Sequence, residues 1–163
     1  MARWLRLRRA SEGRGRGREA PIAPAAEAAT TVGLIGLRYH CWRCDELSTP
    51  LIGMLERGKD LFSADFVVVG DERMLTFAWE LFPAFARGRW PIGEVKRRQE
   101  RRTGGGYLSN GCSSCDAPFA TYALFHNALP IALATNPFER LPELARVELR
   151  RDTWASICTS RWN

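Results

Sequence analysis

Two stretches decide how this chain reads: Tyr39-His40-Cys41-Trp42-Arg43-Cys44, and Tyr107-Leu108-Ser109-Asn110-Gly111-Cys112-Ser113-Ser114-Cys115. Two residues between cysteines let both thiolates of a tight turn reach one ion at about 2.3 Å, and two such turns complete a tetrahedron. The second pair begins 68 positions after the first ends. That exceeds the roughly 15 to 20 residues that separate the pairs of a compact finger, so the site must join distant segments. The expected ligands are Cys41, Cys44, Cys112 and Cys115, and the expected ion is a single Zn2+. Four thiolates leave no position open for water, so the site is expected to be structural.

Outward from the first pair, Thr31 to Cys44 is a β-branched and aromatic run that reads as a strand entering a metal-binding turn. Leu51 to Leu55 reads as the return strand and Phe66 to Val69 as another. Met74, Leu75, Ala78, Leu81, Phe82 and Phe85 then fall on one helical stripe. Asp71 is the expected N-cap and Gly88 the stop, while Pro83 should shorten or kink the helix. Phe119 to Phe125 reads as a strand. Asn136-Pro137-Phe138-Glu139 has capping-box order, although Pro142 forbids a long helix from that start and leaves the C-terminal 25 residues open. The expected architecture is therefore α+β: short antiparallel strands carrying two knuckles and one inserted helix, over residues 31–163.

Charge divides unevenly along the 163 residues. The chain carries 24 Lys+Arg against 18 Asp+Glu, a net +6, and residues 1–19 alone hold seven arginines against two glutamates. The rest is nearly neutral. Residues 1–30, rich in Arg, Gly, Ala and Pro, cannot bury enough surface to offset their ordering entropy and read as a disordered tail. Inside the body, Arg87 to Arg102 is locally basic and runs into Gly104-Gly105-Gly106, which reads as a linker or exposed loop. Arg97, Arg98, Arg101 and Arg102 are its candidates for contacting a nucleic-acid backbone; a solvated loop is the plainer reading. The basic start is not followed by an apolar run and is expected not to act as a secretion signal. With no apolar stretch of membrane-spanning length, the expected setting is the cytoplasm, where thiols stay reduced.

Other chemistries fit less well. A thiol-disulfide oxidoreductase using Cys41 and Cys44 would want the pair to open a helix, but Ser48-Thr49-Pro50 interrupts one and the second pair goes unexplained. Zinc deaminases need H-x-E and P-C-x-x-C; His40 precedes Cys41-Trp42 and Cys112 follows Gly111. His40 and His126 are the only bases for a nucleophilic hydrolase. His40 reads better as a polar neighbour of the knuckle, His126 as a core or edge residue, and Cys158 as a small buried apolar group. Tyr39 and Trp42 are expected to pack on the knuckle.

With Tyr39, Cys41, Trp42, Cys44, Tyr107, Asn110, Cys112 and Cys115 in these positions, the two blocks resemble a family of uncharacterised bacterial zinc-ribbon-like proteins with CWxC and YxxNxCxxC knuckles. The resemblance covers about 45 residues, and Ala120 stands where the pattern has Gly. It implies zinc binding and no established activity. The function expected is a non-catalytic zinc module that binds an unidentified protein or nucleic acid.

Overall fold

The computed structural model describes residues 28–62, 65–99 and 104–159. Residues 1–27 of the expected tail lie outside them, as do Arg101 and Arg102. Ala29 and Thr30, expected to belong to the tail, are part of the first strand.

That strand, β1 (Ala29–Gly36), is the centre of the main sheet. Val32, Leu34 and Ile35 are all buried, as expected of a strand covered on both faces. β2 (Tyr39–His40) and β3 (Leu47–Ser48) form the short hairpin of the first knuckle. β4 (Leu51–Glu56) returns antiparallel to β1, and β5 (Val67–Val68) adds the next strand. The expected continuous run from Thr31 into the cysteines is broken after Gly36. There Leu37 and Arg38 turn their N–H groups to Pro50 O and Arg140 O, at 3.0 and 2.8 Å.

The helical stripe forms as read. α1 (Glu72–Leu81) is capped by Asp71, whose Oδ1 accepts the Met74 N–H at 2.8 Å, and Pro83 ends it. α2 (Ala84–Arg87) follows. Leu75, Ala78 and Phe82 are buried, but the proline break carries Phe85 off the stripe, and it is 74% exposed. Arg87 closes the break by donating to Trp79 O and Phe82 O, with its guanidinium 4.1 Å from the Trp79 ring centroid.

Three expectations change. The basic segment is no linker: β6 (Lys96–Gln99) pairs antiparallel with β7 (Gly106–Ser109). Phe119 to Phe125 is no strand. A π-helical segment, Ala123–Ala128, runs there into α3 (Leu129–Thr135). Leu124, Ala128, Leu129 and Ala132 bury one side of it at helical spacing, and the wider π turn precedes Pro130, which has no N–H to give to a regular ladder. The open C-terminal region resolves into α4 (Pro137–Arg140), β8 (Glu143–Arg150) and α5 (Arg151–Thr159). β8 pairs antiparallel with β1 and completes the order β5-β4-β1-β8. The α+β class holds, with more than one helix among the described residues.

The main sheet separates two cores. Val32, Leu34, Met54 and Val67 pack with Leu75, Ala78, Phe82 and Trp154, and half-buried Cys158 lies against this cluster. Ile35, Ile52 and Phe66 pack with Phe119, Leu124 and Ala132, and the second cluster includes Cys41 and Cys112. The cysteine turns are thus part of a hydrophobic core rather than an appendage.

Candidate metal centre

Each C-x-x-C-D segment folds into the same turn. In the first, Asp45 N–H donates to Cys41 O (2.8 Å), Cys41 N–H to Glu46 O (3.0 Å) and Arg43 N–H to Cys41 Sγ (3.4 Å). In the second, Asp116 N–H donates to Cys112 O (3.1 Å), Cys112 N–H to Ala117 O (2.8 Å) and Ser114 N–H to Cys112 Sγ (3.4 Å). Both turns end on an aspartate in the left-handed region, Asp45 at φ 60° and Asp116 at φ 56°. Aspartate is one of the few L-residues that enter it readily. The repeated aspartate after each pair was visible in the sequence, and it is the signal that marks the two turns as equivalent.

The fold brings all four cysteines together. Their Sγ atoms lie within 4.8 Å of one another. Cys41 and Cys115 are 3.7 Å apart and Cys44 and Cys112 3.6 Å. Four sulfurs at about 2.3 Å from a central ion stand about 3.8 Å apart along each tetrahedral edge, so the arrangement fits a metal ion. Cys41 and Cys112 are buried, Cys115 is half-buried and Cys44 is exposed. Burial works against ionisation at Cys112, but hydrogen bonds from Ser48 Oγ and the backbone N–H groups of Cys115 and Ser114 outweigh it and bring that thiol down to about 6. The Glu46 backbone pulls Cys44 down, yet burial and the three neighbouring sulfurs push it up to about 12. Donors thus already point at Cys112 Sγ.

Supporting residues come from beside the cysteine pairs. Ser48, fully buried on β3, accepts the Ser113 N–H at 3.0 Å and approaches Cys112 Sγ at 3.5 Å, linking the two knuckles. Asn110 mimics a strand partner: its Oδ1 accepts Leu51 N–H at 2.9 Å and its Nδ2 donates to Leu51 O at 3.0 Å. Ser48 carries no such signal in the sequence, and Asn110 stood out only through the pattern of the second knuckle.

The remaining candidates are placed as follows. His40 is exposed, with Nδ1 2.8 Å from Asp45 O, and stands beside the site without joining it. Tyr39 meets Phe119 edge-on at 5.4 Å, as expected. Trp42 donates from Nε1 to Pro118 O at 2.9 Å, just past the second cysteine turn, and is 67% exposed. His126 is exposed and stacked on Tyr122 at 4.9 Å, not in a core. Arg97 pairs with Glu72 at 3.0 Å, and Arg98, 9% exposed, pairs with Asp116 at 2.6 Å. Neither C-x-x-C opens a helix. Among the described residues no helix is long and apolar enough to cross a membrane. Comparison of the chain with known protein families, curated proteins and solved structures gives no match.

Proposed function

We propose that this protein is a zinc-stabilised interaction module of zinc-ribbon kind, in which Cys41, Cys44, Cys112 and Cys115 hold one Zn2+ for structure and not for catalysis. One observation carries the reading: two equivalent turns, from segments far apart in the chain, bring four sulfurs to tetrahedral spacing. An all-thiolate donor set favours zinc over hard cations, which take oxygen ligands. Four protein ligands fill the coordination sphere, so the ion's contribution is to folding, on the order of 10 kcal/mol or more in small zinc peptides. The thiolates would need a reducing compartment such as the cytoplasm. A protein partner suits the exposed, hydrogen-bonded Trp42. Arg97 and Arg98 already face carboxylates, which weakens the case for them as a phosphate-binding pair. Metal analysis of the purified protein tests the reading. One zinc per chain with four sulfur neighbours by X-ray absorption is expected; oxygen or nitrogen among the nearest neighbours, or no metal after gentle purification, would overturn it.

A further inference from the structure

The two knuckles share a backbone but not a setting. In the first, the Asp45 carboxylate is 95% exposed, and its ion-pair contact among the described residues is His40 at 3.7 Å. In the second, Asp116 is clamped on both oxygens, by Lys96 Nζ at 2.7 Å and Arg98 Nη2 at 2.6 Å. Arg98 is the keystone of this arrangement. Its Nη1 donates to Ser109 O at 2.5 Å and Lys96 O at 3.3 Å, and its Nη2 also to Glu94 O at 3.1 Å. Arg98 Nη2 sits against Gly111, where any Cβ would collide with it, and Gly93 presses equally closely on the Gly111–Cys112 backbone. The segment 93–98 therefore wraps the chain both entering and leaving the Cys112–Cys115 turn.

The clamp reaches beyond its own hairpin. β6 and β7 have a four-residue ladder between them, to which Arg98 adds its bond to Ser109, and its Nε is buried with no partner among the described residues. Burying a guanidinium with an unmet donor is costly. What it secures is Asp116, the residue whose left-handed backbone closes the second turn.

We propose that the Gly93–Arg98 segment is a positioning clamp that holds the second knuckle in metal-ready form, so that the centre keeps its ion on Cys112 and Cys115 and opens at Cys41 and Cys44. The proposal rests on the metal reading above and adds an order of events to it. Arg98 acts through Asp116 and does not touch the ion. Lysine at position 98 could still pair with Asp116 but could not also serve Ser109 O and Glu94 O, because it lacks the guanidinium fork.

The test uses the full chain, with zinc as the probe. Zinc affinity is measured by competition with a chromophoric chelator for wild type, Arg98→Met, Arg98→Lys, Asp116→Asn and Asp45→Asn. Arg98→Met and Asp116→Asn are expected to weaken zinc by about 10- to 100-fold, as loss of groups that orient metal ligands does. Arg98→Lys should fall between these and wild type, and Asp45→Asn should cost less than about threefold. Amide exchange under limiting zinc adds a readout that a general loss of stability would not move: the Arg43 and Asp45 amides should exchange at least about tenfold faster than those of Ser114 and Asp116. Equal losses for Arg98→Met and Asp45→Asn, or second-knuckle amides exchanging first, would overturn the proposal. If Arg98→Met does not fold, the exposed Lys96→Met carries the same comparison. Wild type that binds no zinc would sink the metal reading instead, and the exchange order of the metal-free protein would still decide whether the clamp orders the second turn.

Discussion

Replacing Asn110 with alanine should be among the most damaging single changes outside the cysteines, although Asn110 neither binds metal nor fills an apolar core. Its side chain is 98% buried and replaces a neighbouring strand for Leu51, taking the N–H at 2.9 Å and supplying a donor to the C=O at 3.0 Å. Asn110→Ala leaves both backbone groups unpaired in a dry site. Each unmet group costs about 1–3 kcal/mol, so the loss should be about 2–6 kcal/mol, large against the stability of a small domain. Asn110→Asp separates hydrogen bonding from volume. It keeps the acceptor for Leu51 N–H but sets an acceptor against Leu51 O and buries a charge, and should lose at least as much at neutral pH. Urea denaturation with zinc in excess reads both variants at constant metal occupancy. A loss under about 0.5 kcal/mol for Asn110→Ala would refute the strand-mimic account, and so would an Asn110→Asp protein as stable as wild type.

Further outcomes can be checked alongside. Cys44→Ser and Cys112→Ser should each abolish stoichiometric zinc by metal analysis, because three thiolates leave the tetrahedron incomplete. Chelating zinc from the wild type should lower the urea midpoint sharply: a crosslink closing a loop of 68 positions is worth about 4 kcal/mol in chain entropy alone by analogy with a disulfide. Trp42→Ala should change stability by under about 1 kcal/mol, since the ring is mostly exposed and its loss removes one hydrogen bond. Asp152 is held below its ordinary value by the Arg150 guanidinium and the Thr153 N–H. A carboxyl lowered in the folded state contributes stability above its unfolded pKa of about 3.9 and loses it as pH falls further. The difference in denaturation midpoint between wild type and Asp152→Asn should therefore be present at pH 6 and shrink toward pH 3.

What the sequence disclosed and what it hid follow one physical line. The four-cysteine cluster was legible because a site that could hold a metal imposes a fixed spacing, and α1 was legible because a capped, amphipathic helix writes its period locally. β8 was not legible. Glu143 to Arg150 places charges between short apolar groups, and only pairing with β1, more than a hundred residues earlier, makes it a strand. The misreading of Phe119 to Phe125 has a similar origin, since a short apolar run does not distinguish a strand from a buried helical turn. Arg98 was found as a cation but misjudged as a free one. Counting charges says nothing about which of them a neighbouring carboxylate has already claimed.

The direction of β1 has a consequence for how the molecule could be used. The strand leads from Ala29 toward the first knuckle, and at eight residues of about 3.3 Å rise it separates its two ends by roughly 25 Å. Ala28 O is bonded to Arg151 N at the distant end, 2.9 Å away. Ala28, the first described residue, thus lies at the end of the sheet away from the cysteines, beside the start of α5. A ligand that touched Arg151 and Trp42 together would have to bridge that length, so a short oligonucleotide or peptide would meet one end or the other, and only an extended one could engage both.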